Sequence, residues 1–502
     1  MVENNIINNI IIICFIYIRT PAKICFIIYT IGDDRIIICI NGRLWKRIYF
    51  GGCLKRYIIL LTLFFLTNTL FSQDALELYS KIYDIFVDSN EQNDNSGLNS
   101  FLTLYIPPGG KYEGMGTAFT GVSDDIGFFN ANPSVSSRLN LSEVSFFHNE
   151  FIEDVDMETI AFTGRYKDFG YGFQGKWLHI GFTAVNEWAE RDNKGIYSEF
   201  ILKNNISWNL LRGFDFSGIS IGLNTNIGYR SVPMVYNNLN VQDQSSFALF
   251  FDLGLLTEFN LFKFYSSRSR NFSIGLSFLN IGREFIDGPD PLPSSINIGF
   301  AYSLIEPLTI SYDLSYKFNL HNYPSKDENG DFSPVVYGFN EGEGFYHGIG
   351  FDIRILDIAS LHGGFLYKPD TPRLTIGTEI NYNKSPGEDV NLEKEYLDSK
   401  NEFILAINYS LDLMPETPLN RISVELKINL GDYQRFETRE KIQELYVKGL
   451  QIYSNGEIEE AIKIWEKCIE LDSKFDPAIR MKSLAEQSIE LQVKIKEKSS
   501  IE

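Results

Sequence analysis

The chain has 502 residues, 44% of them hydrophobic and 22% charged, with 40 Phe and 27 Tyr. That composition excludes a disordered chain, and 39 Gly exclude a collagen-like or glycine-linker polymer. A formal net charge of −20 argues against a nucleic-acid binder, which must neutralise phosphates with Lys and Arg.

The charge is uneven. Residues 73–437 hold 26 Lys+Arg against 49 Asp+Glu, whereas residues 1–72 hold 8 against 3 and residues 438–502 hold 11 against 13. Three parts are expected: a targeting region, a long acidic middle and a separate tail, within the two or three domains that the length allows.

Residues 54–72 read as a secretory signal peptide. Lys55-Arg56 is followed by the apolar run Tyr57 to Leu66 and then by the small residue Ser72. The run is short for a membrane-spanning helix. Residues 1–53 are rich in Ile and Asn, show no clear strand or heptad pattern, and fit badly before a signal. After Met1 the next Met is Met115. We therefore expect residues 1–53 to be a spurious extension, with translation starting at Leu54. Cys14, Cys25, Cys39 and Cys53 all precede the cleavage, so the exported chain keeps only Cys468 and has no disulfide framework.

Residues 73–100 are expected to form a helix and linker. Leu76, Tyr79, Ile82, Tyr83 and Phe86 fall at helical spacing, and a polar stretch runs from Ser89 to Ser100. Residues 101–140 are rich in glycine and small residues. Pro107-Pro108-Gly109-Gly110 leads to Gly114-Met115-Gly116, Gly121, Asp124-Asp125 and Asn132-Pro133-Ser134. Such residues permit tight turns and close backbone approach.

Residues 141–430 alternate apolar and polar with a period of two. Leu308, Ile310, Tyr312, Leu314 and Tyr316 are separated by Thr309, Ser311, Asp313 and Ser315; Ile422 to Leu430 behaves likewise. One face of each strand is apolar and aromatic, the other small or polar. We place about 14 strands, near 141–151, 156–166, 169–180, 195–211, 216–231, 244–264, 271–284, 292–304, 308–319, 344–355, 358–368, 373–384, 402–414 and 421–430. Long strands, apolar-out alternation, an even count and export describe an all-β antiparallel transmembrane barrel. Tyr166, Tyr302, Tyr316, Tyr382 and Tyr409 are expected in interfacial girdles. A soluble propeller would show shorter strands and a repeating motif. The connection 385–401 is long yet falls on the side of the short turns.

Gly114-Met115-Gly116, followed by Asp124-Asp125 and then Asn132-Pro133-Ser134, resembles the N-terminal hatch of FadL-type outer-membrane transporters and is similar to the related PorV-like proteins. The usual Asn-Pro-Ala is Asn-Pro-Ser here. The resemblance covers roughly 101–430 and agrees with the family's 14 strands. It implies a hatch plugging the barrel, with Gly114, Gly116, Asp124, Asp125, Asn132 and Pro133 as its motif. It also implies passive movement of long-chain fatty acids or other hydrophobic molecules, and a lateral opening at a kinked third strand. Gly170, Gly172, Gly175 and Gly181 lie on or beside that strand, where glycine marks a bend or bulge. The competing reading is that they relieve crowding in the lumen.

Residues 438–498 change to helical period. Leu445, Gly449, Ile452, Ala461, Trp465 and Cys468 fit a tetratricopeptide-like repeat, with Gly449 and Ala461 as small packing residues and Trp465 as the large one. Asp476-Pro477-Ala478 opens a third helix. So short a unit is expected to lean on the barrel rim, a partner or another copy.

No catalytic set is visible. His148, His179, His321, His347 and His362 lack metal-ligand spacing, Asp124-Asp125 reads as hatch structure, and no phosphate loop or nucleophile elbow occurs. No enzyme activity, cofactor or metal is expected. The expected partners are outer-membrane lipid, a hydrophobic small-molecule ligand and, through the tail, a periplasmic protein. A PorV-like assembly or scaffolding role is the alternative to uptake.

Overall fold

The computed structural model describes residues 18–20, 23–30, 35–40, 43–49, 98–151, 155–185, 191–213, 216–232, 245–265, 270–286, 289–323, 334–356, 359–368, 371–381, 403–413, 419–431 and 435–499. The signal peptide, the helix expected at 75–87 and the connection 385–401 lie outside them.

The chain divides into two compact units, 1–85 and 86–502. In the first, β1 (Ile18–Thr20), β2 (Lys23–Thr30), β3 (Arg35–Ile40) and β4 (Arg43–Tyr49) form an antiparallel sheet in chain order. This corrects the expectation of no strand pattern before residue 53. The signal lay in composition rather than alternation: β-branched runs such as Ile36-Ile37-Ile38 favour strand on either face. Asn41-Gly42 between β3 and β4 is also a favoured two-residue hairpin sequence.

The second unit contains fourteen strands whose alternation leaves each with one apolar face and one polar face. A flat sheet of that kind would expose two unpaired edges. The strands are β5 (Ser142–Glu150), β6 (Val155–Tyr166), β7 (Phe169–Val185), β8 (Arg191–Leu210), β9 (Ile219–Ser231), β10 (Ser246–Phe259) and β11 (Phe272–Phe285). They continue with β12 (Ser294–Ile305), β13 (Leu308–His321), β14 (Tyr337–Leu356), β15 (Ala359–Tyr367), β16 (Arg373–Asn381), β17 (Phe403–Asp412) and β18 (Leu419–Gly431). Each pairs antiparallel with its chain neighbours, and β18 pairs with β5 from Ile422↔Glu150 to Gly431↔Ser142, closing the barrel. All fourteen expected strands are present. The count also settles the 385–401 connection: β16 and β17 are consecutive antiparallel neighbours, so that long link breaks no strand order.

Strand boundaries shift where a hairpin continues beyond the alternating core. β14 begins at Tyr337 rather than near 344, and β7 and β8 extend to Val185 and from Arg191. There Phe339-Asn340-Glu341-Gly342 pairs with β13 across register shifts, so the local period is broken although the ladder continues.

Apolar side chains face outward in rows. Trp177, Phe200, Tyr229, Phe247 and Phe285 lie side by side on five neighbouring strands, all exposed. Eight residues down β7, Phe169 faces Tyr166 and Trp208, and farther round Phe259, Phe272 and Tyr302 continue a second row. That separation is about 26 Å along the strand. Two aromatic belts bounding an apolar band match a bilayer's two interfaces. Tyr166 and Tyr302 join the lower belt and Tyr409 lies near the upper strand ends. Tyr316 instead sits within β13 beside Phe345, because β13 runs two residues past Asn319. Tyr382 is outside the described residues. Among the described residues, no helix is long and apolar enough to cross a membrane.

The strand ends define two rims. The lower rim carries the turns 167–168 and 306–307 and the end of β18. After it come three helices, α2 (Arg435–Ser454), α3 (Ile458–Leu471) and α4 (Asp476–Ser499). Before β5, the segment from residue 98 contains one helical turn, α1 (Gly110–Gly114), and three turns of tighter helix.

Candidate functional site

Residues 98–140 fill the lumen and run its length. At the upper end, the Asn99 side-chain amide donates to the Pro291 carbonyl (3.1 Å) and to Asn319 Oδ1 (2.8 Å). Lower down, the Thr103 amide donates to Glu199 Oε2 (2.8 Å) and Lys176 Nζ to the Ile106 carbonyl (3.2 Å). The amides of Phe119 and Thr120 both donate to Asp313 Oδ2 at 2.8 Å. At the lower rim, Arg138 donates to the Ser217 carbonyl (2.5 Å) and pairs with Glu258. Every backbone turn is thus tied to a different part of the wall, because irregular backbone in a confined space must find partners outside itself.

The wall is shaped for this segment. Inward positions carry glycine on β7 (Gly170), β9 (Gly222), β10 (Gly254), β11 (Gly275), β12 (Gly299), β14 (Gly350) and β15 (Gly364). A methyl group at Gly170 would collide with the Ser136 carbonyl, at Gly222 with the Pro133 carbonyl, and at Gly350 with Met115. From the other side, a Cβ on Gly121 would lie 2.8 Å from the Phe300 backbone. Several of these glycines are neighbours across strands: Gly222↔Gly254, Gly275↔Gly299 and Gly350↔Gly364. Sequence reasoning missed this seat. The signal was available as glycine recurring in the inward phase of successive strands, but only registration across strands gives it meaning.

The motif residues divide their work. Asn132 donates to the Thr120 carbonyl and to the Leu255 carbonyl, both at 2.9 Å, while its Oδ1 accepts from the Ser134 amide (3.2 Å). It therefore joins two turns of the segment to β10. Pro133 opens a helical turn, where it loses no hydrogen bond. Asp125 caps another turn by accepting from the Gly127 amide (2.8 Å) and pairs with Lys427. Asp124 is more exposed and pairs with Lys111 (3.0 Å), which also reaches Asp352 (3.0 Å). Gly116 has φ +62 and lies against the Gly364–Phe365 backbone, near mid-height of β15. Gly114 lies beside His362 and Asn408, and its carbonyl accepts from Thr375 (2.9 Å). The structure brings all six into the lumen, although Gly114 and Gly116 sit nearer the middle than Asn132. Glu113, which the sequence did not single out, is fully buried and accepts from Arg421 (2.7 Å) and Ser410 (2.5 Å).

We expect Asn132→Ala to strip the buried Thr120 carbonyl and the part-buried Leu255 carbonyl of a donor, a cost of about 1–3 kcal/mol. Protease should then cut residues 98–140 faster in the folded barrel; unchanged cleavage would mean that Asn132 does not hold the segment.

The four glycines of the third barrel strand separate. β7 pairs with β6 without a register shift from Tyr166↔Phe169 to Val155↔Ile180. No register shift interrupts the ladder at Gly170, Gly172 or Gly175. Gly170 and Gly172 face inward, against Ser136 and Phe129, and make room for the segment. Gly175 faces outward, where a cavity of about 370 Å³ opens on the apolar surface between Phe146, Ile160, Phe173, Trp177, Phe200 and Leu202. A Cβ on Gly181 would meet nothing within 4 Å. An aromatic notch lies on the outer face where the kink was expected, and the pairing with β6 keeps its register there.

An apolar nest lies in the upper half of the lumen. Phe101 is fully buried against Ile201, Ala248, Phe250 and Leu292. Its φ of 58 is a left-handed conformation, a strain of about 1–3 kcal/mol for a bulky residue.

At the lower rim the tail docks through charge. Arg212 bridges Asp168 (3.0 Å) and Asp472 (3.1 Å), and Lys474 reaches Asp168 (2.9 Å). Burial opposes the charge on Asp168, but the hydrogen bond from Lys474 and the nearby Arg212 hold its carboxyl below the ordinary carboxylate value. The tail thus leans on the rim of its own barrel. Trp465 is fully buried, its indole donating to the Tyr446 carbonyl (3.3 Å), with Ala461 and Cys468 in the same core. Gly449 lies against the indole, leaving no room for a side chain.

A family model described as an uncharacterised protein family, UPF0164, matches residues 85–401. Two proteins of Treponema pallidum (strain Nichols), each named "UPF0164 protein", are similar. One is 26% identical over 420 residues, covering 81% of this chain and 87% of the relative. The other is 23% identical over 398 residues, covering 75% and 72%. Among solved structures, the CymD monoaromatic hydrocarbon channel aligns at 9% identity and a TM-score of 0.44, covering 66% of this chain and 99% of that one. A Pseudomonas aeruginosa FadL homologue aligns at 9% identity and 0.39, covering 65% and 99%.

Proposed function

Since the chain belongs to the uncharacterised protein family UPF0164, whose description supplies no activity, we propose a function from the barrel and its contents: passive uptake of hydrophobic small molecules across a bacterial outer membrane. The observation that supports it is the segment 98–140, seated inside the barrel on a glycine-lined wall, which we read as a plug against a continuous water column. A barrel built to pass hydrated solutes would keep that column open. Here the apolar surfaces are local: the Phe101 nest inside and the aromatic notch at Gly175 outside.

In this reading the upper rim faces the exterior and the lower rim the periplasm. Residues 101–140 act as the hatch and 54–72 as the export signal. The FadL-type motif makes long-chain fatty acids or other hydrophobic molecules the ligand class. A ligand enters above, passes the hatch as it shifts, and leaves into the periplasm or through the wall near the notch. No energy source is required for movement down a gradient.

The tail supports a second reading. Its three helices share one core at the lower rim; read as a tetratricopeptide-like unit, they stand where a PorV-like scaffold would hold a periplasmic protein. Proteins crosslinked to residues 438–498 in cells, without any apolar uptake, would favour it.

The location has its own test. The mature chain is expected to stay with outer membranes after carbonate and urea washing. Recovery in the soluble fraction would sink both readings.

A further inference from the structure

The upper aromatic row on the outer wall stops short on two strands. From Phe285 on β11 it runs through Phe247, Tyr229 and Phe200 to Trp177 on β7. The next outward positions across the ladder are Glu158 on β6 and His148 on β5. One step nearer the upper end of that hairpin, Glu150 faces Asp156, with His179 of β7 beside it. His148 Nδ1 lies 2.8 Å from Glu158 Oε1, and His179 Nε2 lies 3.7 Å from Asp156 Oδ2. Three carboxylates thus stand among two imidazoles, so the edge is acidic whatever the protonation of the rings. A carboxylate on the lipid-facing surface of a barrel carries a cost that a neighbouring positive charge offsets.

Beneath that edge the same strands open the aromatic notch. Gly175 supplies no side chain between Phe173 and Trp177 on the outward face of β7, and its ladder neighbours are the aliphatic Ile160 and Leu202. The cavity of about 370 Å³ is walled by apolar side chains, and Glu158 stands at its upper edge. Trp177 is held over it: the ring stacks on His179 at 4.8 Å, and the indole N–H donates to Ser198 Oγ (2.8 Å). In a membrane this surface meets acyl chains as apolar as the wall itself, so burial brings no hydrophobic gain. What the notch offers a chain is van der Waals contact that a flat wall lacks. What the edge offers is charge.

We propose that notch and acidic edge are one site for a membrane phospholipid whose headgroup ends in an ammonium group. One acyl chain lies in the notch between Phe173 and Trp177, and the ammonium sits among Glu150, Asp156 and Glu158. Shape places the chain and charge selects the head: a lipid ending in glycerol brings only its phosphate to the edge and is repelled. The site faces the bilayer rather than the lumen. It therefore rests on the barrel lying in a membrane and not on the uptake reading.

The probe is phosphatidylethanolamine brominated along its acyl chains, since bromine quenches a tryptophan that it touches. The purified full chain is placed in bilayers of phosphatidylglycerol, and the brominated lipid is added as a minor fraction. The reciprocal experiment puts brominated phosphatidylglycerol into phosphatidylethanolamine. Subtracting the signal of the Trp177→Phe variant leaves the quenching of Trp177 itself. The ethanolamine lipid should take the place beside Trp177 with about a fivefold preference, the size of one exposed ion pair. Replacing the carboxylates together, by Glu150→Gln, Asp156→Asn and Glu158→Gln, should abolish that preference. Gly175→Leu should weaken quenching by either lipid; a Cβ there has room, its nearest neighbour being Ile160 at 3.6 Å. Equal quenching by the two lipids in the unaltered chain overturns the proposal, and so does a preference that survives loss of the carboxylates. The first comparison leaves the acidic edge intact, so it decides the matter even if the carboxylate variant does not insert.

Discussion

Deleting residues 105–135 should turn a closed barrel into an open aqueous pore. Sugar-sized solutes should then enter at the rate of a water-filled channel rather than at background. The wall does not depend on those residues for its own hydrogen bonds, since β5 to β18 close on themselves. The deletion does free Asp313, Arg421 and Lys427, whose partners Phe119, Thr120, Glu113 and Asp125 all lie in the removed stretch. In a dry core such orphaned charges would be ruinous. Here water enters the vacated lumen and solvates them. Folding in the membrane can be checked by resistance to washing and by retained strand content. A folded, inserted deletion with background permeability would show that 98–140 is not what closes the lumen.

The second large effect belongs to the tail. Trp465→Ala removes the largest side chain of a small core built from Ile442, Ala461, Cys468, Ala478 and Ala485. Large-to-small changes of this kind cost about 3–5 kcal/mol, and a three-helix unit has little in reserve. Helical content from α2, α3 and α4 should melt at a temperature well below that of the barrel, and protease should remove residues 438–502 while sparing β5 to β18. Nothing in the barrel depends on Trp465; the two parts touch through Asp168, Arg212, Asp472 and Lys474. A tail that stays folded would mean its stability comes from that contact rather than from its own core.

The strands were legible because side chains on a barrel wall alternate between lipid and lumen, and that alternation is local. Leu308 to Phe318 shows it within a dozen residues. The motif residues from Gly114 to Pro133 were legible as a glycine-rich stretch that neither helix nor strand would tolerate. What holds them was not. Glu113 meets Arg421 at a separation of 308 residues, and Asp125 meets Lys427 at 302. No local pattern encodes such pairs; only closure of the barrel brings them together. Gly170 and Gly172 were read on one strand, where glycine suggests a bend. Their function became visible only with Ser136 and Phe129 placed against them. Phe101 gave no signal, because an aromatic residue beside a polar linker looks like any exposed hydrophobe. The four strands before residue 50 were missed because runs of Ile carry strand propensity without alternation.

The uptake reading is tested most directly in a bacterial host whose own outer-membrane route for hydrophobic compounds has been deleted. Expression of the full chain should restore entry of a labelled long-chain fatty acid or of toluene while leaving entry of a small sugar at background. A folded, membrane-inserted protein that admits the sugar, or that admits neither apolar probe, would contradict it.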